Sequence, residues 1–316
     1  MKTSKNKGWT KKQGLFVYIV CIIFFLTACV DQSQGAPENK ETETLSVVQT
    51  QVSEDIVILA TSMATVSICD KLNLTLAGIP DSNLSEPPKR YQNLPKIGMA
   101  MSPDMEVITA MSPDWILSPV SLISDLKPKY EAIGSKYAFL NLNSVAGMYK
   151  SIEELGEIFD RQEEAKVLIK EFEDFYNAYK EKHSEKEAPS VLILMGLPGS
   201  YVAATEHSYV GDLVKLAGGR NVYMEETKDF ISVNTEDMLA KNPDIILRTA
   251  HALPDEVMEM FAKEFKTNDI WKNFNAVKAG RVYDLSYEKF GMSATFDYPE
   301  ALEELDKILY GEGRVG

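Results

Sequence analysis

The chain has 316 residues, 45% of them hydrophobic, with 33 basic and 47 acidic side chains and a formal charge of −14. So strong a negative balance argues against nucleic acid or an anionic membrane surface as its main partner. It suits solubility outside a cell and a basic docking partner.

The N-terminus opens with Lys2, Lys5, Lys7, Lys11 and Lys12 and no acid, followed by an apolar run from Leu15 to Leu26. That run is too short to span a bilayer but has the length of a signal-peptide core. It ends Leu26-Thr27-Ala28-Cys29, small residues before a cysteine, as a lipoprotein signal peptidase requires. Residues 1–28 are therefore read as a removable leader and Cys29 as the lipidated new N-terminus. Its two or three acyl chains would hold the protein on the outer face of the cell membrane; an uncleaved anchor is the alternative. Loss of the leader removes five lysines and no acid, which takes the charge from −14 to about −19. With Cys21 removed and Cys29 acylated, Cys69 stands alone, so neither a disulfide framework nor a cysteine-built metal site is expected. Residues 29–52, polar up to their end, read as a flexible tether.

The remaining residues, roughly 265, suffice for two cored lobes. In chain order, Asp55–Ala60 is a β-rich run, Ala64–Leu72 has a helical pattern, and Leu74–Ile79 reads as a second strand ending at Pro80-Asp81-Ser82-Asn83. A short amphipathic helix after Asp104 leads through Pro113-Asp114 into an apolar strand. Residues 146–187 are nearly free of Gly and Pro and read as one long helix of about 50 Å. Val191–Met195 opens a second lobe, with Gly196–Ser200 as the loop after it. His207–Ala217 is the next helix, stopped by Gly218-Gly219. A helix after Asn234 then leads through Pro243-Asp244 into the strand Ile245–Leu247.

Two of these units repeat. Glu106 and Pro113-Asp114 recur as Glu236 and Pro243-Asp244, each displaced by 130 positions. Helix, tight turn and buried strand form the crossover element of a parallel sheet. The expected fold is α/β: two Rossmann-like lobes, 53–145 and 188–316, with parallel sheets, joined by a backbone helix at 146–187. Ligands of such sheets bind beyond the carboxyl ends of the strands, so the loops there should face a cleft.

From about residue 54 to 310 the chain resembles the helical-backbone (class III) substrate-binding proteins of ABC importers, which carry siderophores, cobalamin and haem. The likeness rests on Leu94–Gly98, the Glu106 to Asp114 unit, Gly211-Asp212-Leu213 to Val222, Asn234-Thr235-Glu236, and Trp271–Phe274 with Ala276–Tyr283. Within that family it is similar to the haem-binding lipoproteins of Gram-positive iron-regulated haem uptake. Here the carriers are Gly98–Pro103, Met195–Tyr201 and Leu247–His251.

The resemblance implies that haem iron is ligated by Met101 from the first lobe and His251 from the second. Both residues sit in loops that the reading above turns toward the cleft. A methionine is more commonly a packing residue, and Met99, Met105 and Met111 compete nearby. Of three histidines, His183 lies in a charged run and His207 precedes a helix as a surface or capping residue. A neutral imidazole and a thioether are both competent axial ligands. The expected cleft loops hold no cluster of Arg or Lys for the haem propionates, but helix N-termini attract anions. The resemblance points to Met63, Ala64, Ser82 and Asn83 as contacts. Asn83 stands where that group tends to have an aromatic, and Thr61 and Ser62 have simple N-capping as their other reading.

The resemblance also implies docking of Glu106 and Glu236 on arginines of a two-fold permease. The alternative is that each acid only stabilises its helix start. The expected protein is thus a monomeric haem receptor, tethered by lipid, that serves an ABC permease and its ATPase and takes haem from cell-surface donor proteins. A ferric-siderophore or cobalamin receptor of the same class is the alternative. An enzyme is not expected: G-x-S-x-G, H-E-x-x-H and a Walker loop are missing.

Overall fold

The computed structural model describes residues 56–183 and 187–311. The leader, Cys29 and the tether up to residue 52 lie outside the described residues. The strand run expected from Asp55 is β1, Ile58–Ala60, and it feeds α1, Met63–Lys71. Ser62 caps α1, its Oγ accepting from the Thr65 N–H. A small hairpin follows, β2 (Gly98–Met99) and β3 (Ser102–Pro103), leading into α2, Met105–Met111. Then come β4 (Trp115–Pro119), α3 (Ile123–Ala132) and β5 (Lys136–Leu140).

β1, β4 and β5 form a parallel sheet in the order β1-β4-β5. The strand expected at Leu74–Ile79 shrinks to two parallel bridges, Gly78 to Leu59 and Ile79 to Lys96. It still extends the sheet, because Ala60 N–H donates to Gly78 O and Ile97 N–H to Ile79 O. The chain alternates faces with period two. Ile58 and Ala60 enter one core, while Leu59 and Ile116 enter another with Ile97, Ile108 and Tyr130. Cys69 lies on the buried face of α1, and burial pushes its thiol up to about 12, so it stays protonated.

The expected single helix over 146–187 is two helices, α4 (Val145–Ile158) and α5 (Gln162–His183). Asp160 turns the chain between them at φ 54°, and Arg161 N–H donates back to Gly156 O at 2.7 Å. Asp tolerates this left-handed conformation, so the break needs neither Gly nor Pro. The long element is therefore α5, about 33 Å at 22 residues rather than about 50 Å. Ala165, Leu168, Ile169, Phe172, Phe175 and Tyr179 form its apolar stripe at helical spacing.

The second half runs β6 (Ser190–Leu197), β7 (Ser200–Ala204), α6 (Tyr209–Leu216), β8 (Arg220–Asn221), β9 (Phe230–Ile231), α7 (Thr235–Lys241) and β10 (Ile245–Ala250). It closes with α8 (Pro254–Thr267), α9 (Asn275–Lys278), β11 (Val282–Asp284), α10 (Tyr287–Phe290) and α11 (Tyr298–Tyr310). The strand order is β11-β10-β6-β7-β9, with β8 beside β6. β8, β6, β10 and β11 are parallel, as expected. The residues expected as a loop after Met195 instead make a hairpin, with Gly199 at φ 79°, and β7 and β9 add antiparallel strands.

The 130-residue repeat reappears in the hydrogen bonds. Asp114 Oδ2 accepts from Val57 N–H at 2.8 Å and Asp244 Oδ2 from Ser190 N–H at 2.7 Å. Each helix before the Pro-Asp ends on a left-handed residue, Ser112 at φ 48° and Asn242 at φ 46°. In each half, Pro-Asp thus starts a strand and ties it to the residue at or just before the start of the first strand.

Polar bonds join the halves where β5 runs into α4. Asn143 Nδ2 donates to Asp229 Oδ2 at 2.7 Å, Ala294 N–H to Leu142 O at 2.8 Å, and Val145 N–H to Asp212 Oδ2 at 2.8 Å. Burial pushes Asp212 up to about 6, with Glu206 adding to it and the Val145 N–H and Lys215 opposing. A carboxyl raised above its unfolded value favours folding at low pH, and this contribution is lost as pH rises from about 4 through about 6. Asp212→Asn keeps an acceptor for Val145 without the buried charge. It should flatten the melting-temperature profile across that window and raise the value at pH 7 by about 3 °C, as checked by thermal unfolding from pH 4 to 8.

Candidate ligand site at the carboxyl edges of the sheets

In the first half, β1, β4, β5 and the bridged segments at Gly78-Ile79 and Lys96 run parallel, so their carboxyl ends share one edge, where the antiparallel hairpin β2–β3 also begins. β1 ends at Ala60 and delivers the α1 N-terminus, with Met63 and Ala64 half-buried in its first turn. The bridge at Ile79 ends at Pro80 and delivers Ser82 and Asn83. Ile97 passes into β2, and Met101 sits in the β2–β3 turn, 63% exposed. Asp81 N–H donates to Gly98 O at 2.9 Å, so the Ser82 loop and the hairpin are adjacent. Gly98 is required in this hairpin: at φ 86°, a Cβ there would stand 2.6 Å from the Asp104 nitrogen. Topology thus brings Met63, Ala64, Ser82, Asn83 and Met101 to one edge.

The polar groups here are partly engaged. Thr61 Oγ1 meets Ser118 Oγ at 2.7 Å rather than capping α1, and Ser62 Oγ accepts from Thr65 N–H at 3.2 Å, which bears out the capping reading for Ser62. Ser82 Oγ accepts from Leu84 N–H at 3.3 Å, while Asn83 is exposed. The backbone N–H groups of Met63 and Ala64 fall in the first turn of a helix, where no intrahelical acceptor exists.

In the second half, His251 follows β10 directly, at the carboxyl edge of that sheet. Its N–H donates to Gly196 O at 2.9 Å, which locks the backbone to β6. The ring is half-buried, and that burial lowers its pKa, favouring the neutral imidazole a metal needs. The other two histidines are placed differently: His207 is exposed, ahead of α6, and His183 ends α5.

Neither of two polar hollows contains Met101 or His251. One, of about 320 Å³, lies at the junction and is lined by Asn143, His207, Asp212, Lys215 and Asp229. The other, of about 560 Å³, lies beside the start of α7 between Tyr223 and Asp237. The Met101 and His251 positions are open edge loops, not walls of either hollow. Among the described residues no group of His, Cys, Asp and Glu is arranged to hold a bare metal ion.

Glu106 and Glu236 both occupy the second position of their helices and are exposed. The capping bonds come from other side chains. Asp104 Oδ1 accepts from Glu106 N–H at 3.0 Å and Val107 N–H at 3.1 Å, and Asn234 Oδ1 from Asp237 N–H at 2.8 Å. Among the described residues neither glutamate forms an ion pair.

Residues 58–288 match the model of the periplasmic binding protein family. The chain belongs to that family. This periplasmic binding protein is 41% identical over 297 residues to the high-affinity heme uptake system protein IsdE of Staphylococcus aureus strain Newman, covering 92% of this chain and 96% of that one. The crystal structure of S. aureus IsdE complexed with heme superposes with a TM-score of 0.77 at 42% identity, over 81% of this chain and 99% of the other. An ABC transporter substrate-binding protein from Listeria monocytogenes EGD-e gives the same TM-score at 48% identity, with the same coverage. Sequence reasoning missed the junction made by Asn143, Asp212 and Asp229; Gly211-Asp212, inside a motif already noted, was its only signal.

Proposed function

We propose that this periplasmic binding protein is an extracytoplasmic haem receptor that delivers haem to an ABC permease. The observation carrying this reading is a half-buried imidazole, His251, whose burial favours its neutral form, at the carboxyl edge of one sheet, in a chain 42% identical to a protein solved with heme. Met101 at the edge of the other lobe supplies the second axial ligand. Met63 and Ala64 N–H groups, with Ser82 and Asn83, receive the propionates. Haem is cargo here and no bond is made or broken in it, so the chain does no catalysis. The lobes are residues 53–145 and 188–316, joined through 146–187.

On this reading the purified protein shows a Soret band with haemin. His251→Ala should weaken binding more than Met101→Ala, since imidazole holds iron better than a thioether. A double alanine variant with the wild-type Soret and charge-transfer spectrum would refute both ligand assignments.

Glu106 and Glu236 are the permease-docking pair, one exposed acid at the matching point of each half. Their capping work is done by Asp104 and Asn234, which leaves the carboxylates for a basic partner such as the permease arginines. Glu106→Ala with Glu236→Ala should leave haem spectra and melting temperature nearly unchanged while abolishing haem-supported growth. Normal uptake by that variant would leave only a charge–dipole role, worth about 0.3–1 kcal/mol.

Residues 1–28 act as leader, Cys29 as the acylated anchor and 29–52 as tether. Cys29→Ala should move the protein out of the membrane fraction without altering its haem spectrum. Retention in that fraction would indicate an uncleaved anchor instead.

A further inference from the structure

The connection from β10 to α8 is three residues long, His251-Ala252-Leu253, and its geometry is held from both sides. His251 N–H donates to Gly196 O, and Leu253 O accepts from Val257 N–H at 3.1 Å. α8 lies directly on β6 at Gly196, where a Cβ would come 2.2 Å from Val257 Cγ1. The loop therefore cannot relax by sliding the helix. Its tightness falls on Leu253, which adopts φ 48° and ψ 60°.

Leucine is the wrong residue for that conformation. The other non-glycine residues with positive φ among those described are Asn73, Ser112, Asp160 and Asn242, short polar side chains that tolerate it. Leu253 also precedes Pro254, whose ring pushes its neighbour toward extended backbone. As N-cap of α8 it supplies no side-chain hydrogen bond, unlike the extended N-caps Ser62, Asp104, Ser144, Ser208 and Asn234. Burial does not compensate, because its side chain is 52% exposed. Three local preferences fail at one residue, two positions from His251. Such failures collect where a ligand, rather than the fold, selects the side chain.

We infer that Leu253 is a ligand-contacting residue: the strained loop holds its isobutyl group against the apolar face of the macrocycle bound at His251. This rests on the haem reading above. Met99 at 64%, Met101 at 63% and Leu84 at 43% exposure lie on the carboxyl-edge loops of the other sheet, an apolar complement suited to a flat hydrophobic ligand.

The test compares the apo melting temperature with haemin affinity by Soret titration, in wild type, Leu253→Asn and Leu253→Ala. Asn tolerates the left-handed backbone where Leu does not, so Leu253→Asn should raise the apo melting temperature by about 2 °C while weakening haemin binding about tenfold. Leu253→Ala keeps the strain and loses only the side chain, so it should weaken binding similarly without that rise. Wild-type affinity in both variants, with binding still lost in His251→Ala, would overturn this inference alone. A wild-type protein with no Soret band would overturn the haem reading and this one with it.

Discussion

The two sheets share one continuous core because α5 gives them a common surface. Its stripe meets α4 from the first half and α11 from the second, in a cluster of aromatic rings. Tyr149 of α4 stacks on Phe172 at 4.5 Å, and Tyr298 of α11 packs edge-on to Phe172 at 5.8 Å and Phe175 at 5.6 Å. Offset and edge-on pairs of this kind add about 0.5–1.5 kcal/mol each beyond their buried area. Tyr179 adds a direct bond, its hydroxyl donating to Leu302 O at 3.2 Å. One buried cluster consequently runs from Ile58 and Leu117 through Val145 and Leu155 to Val191, Leu247 and Leu305. The placement of the two carboxyl edges depends on that shared packing.

The periphery is arranged for exposure. The outer faces of the sheets carry their own cores, Ile108 and Tyr130 on one side, Phe261 and Trp271 on the other. Each surface helix is thereby anchored, and the loops at the carboxyl edges are left exposed. Methionine suits such an edge because its flexible thioether adapts to a ligand surface. The half-buried imidazole does the opposite work: desolvation favours its neutral form, and its backbone bond to Gly196 keeps it in place. The acid pair occupies a third position, exposed at helix starts whose capping needs are already met.

Much of this was legible in the residues. A short continuous apolar run such as Val191–Met195, closed by Gly196, reads as a strand buried on both faces, and the paired Pro-Asp units marked two similar halves. The structure supplies the reason for that repeat: each Asp ties its strand to the backbone at the start of the first strand, a demand set by local geometry and so repeated with it. Family likeness pointed to Met101 and His251, and the parallel order of strands then put each at a carboxyl edge. What the sequence determined by itself is whatever depends on neighbours within a turn or a pleat: strand faces, helix caps and the glycine stops.

Tertiary structure decided the rest. The break at Asp160 left only a weak mark, one poor helix former in a helical pattern, and the turn is fixed where Gly156 meets Ala165 across it. The strand expected at Leu74–Ile79 was reduced to bridges, since its pairing depended on β1 and Lys96 arriving alongside. β7 finds its second partner only in β9, about 27 positions further on, which pairs with Ala203 and Ala204. Buried Asp212 bonds a residue 67 positions away, and Leu253 is strained only because α8 packs against Gly196. Each of these is set by contacts distant in sequence, which local preference can permit but cannot choose.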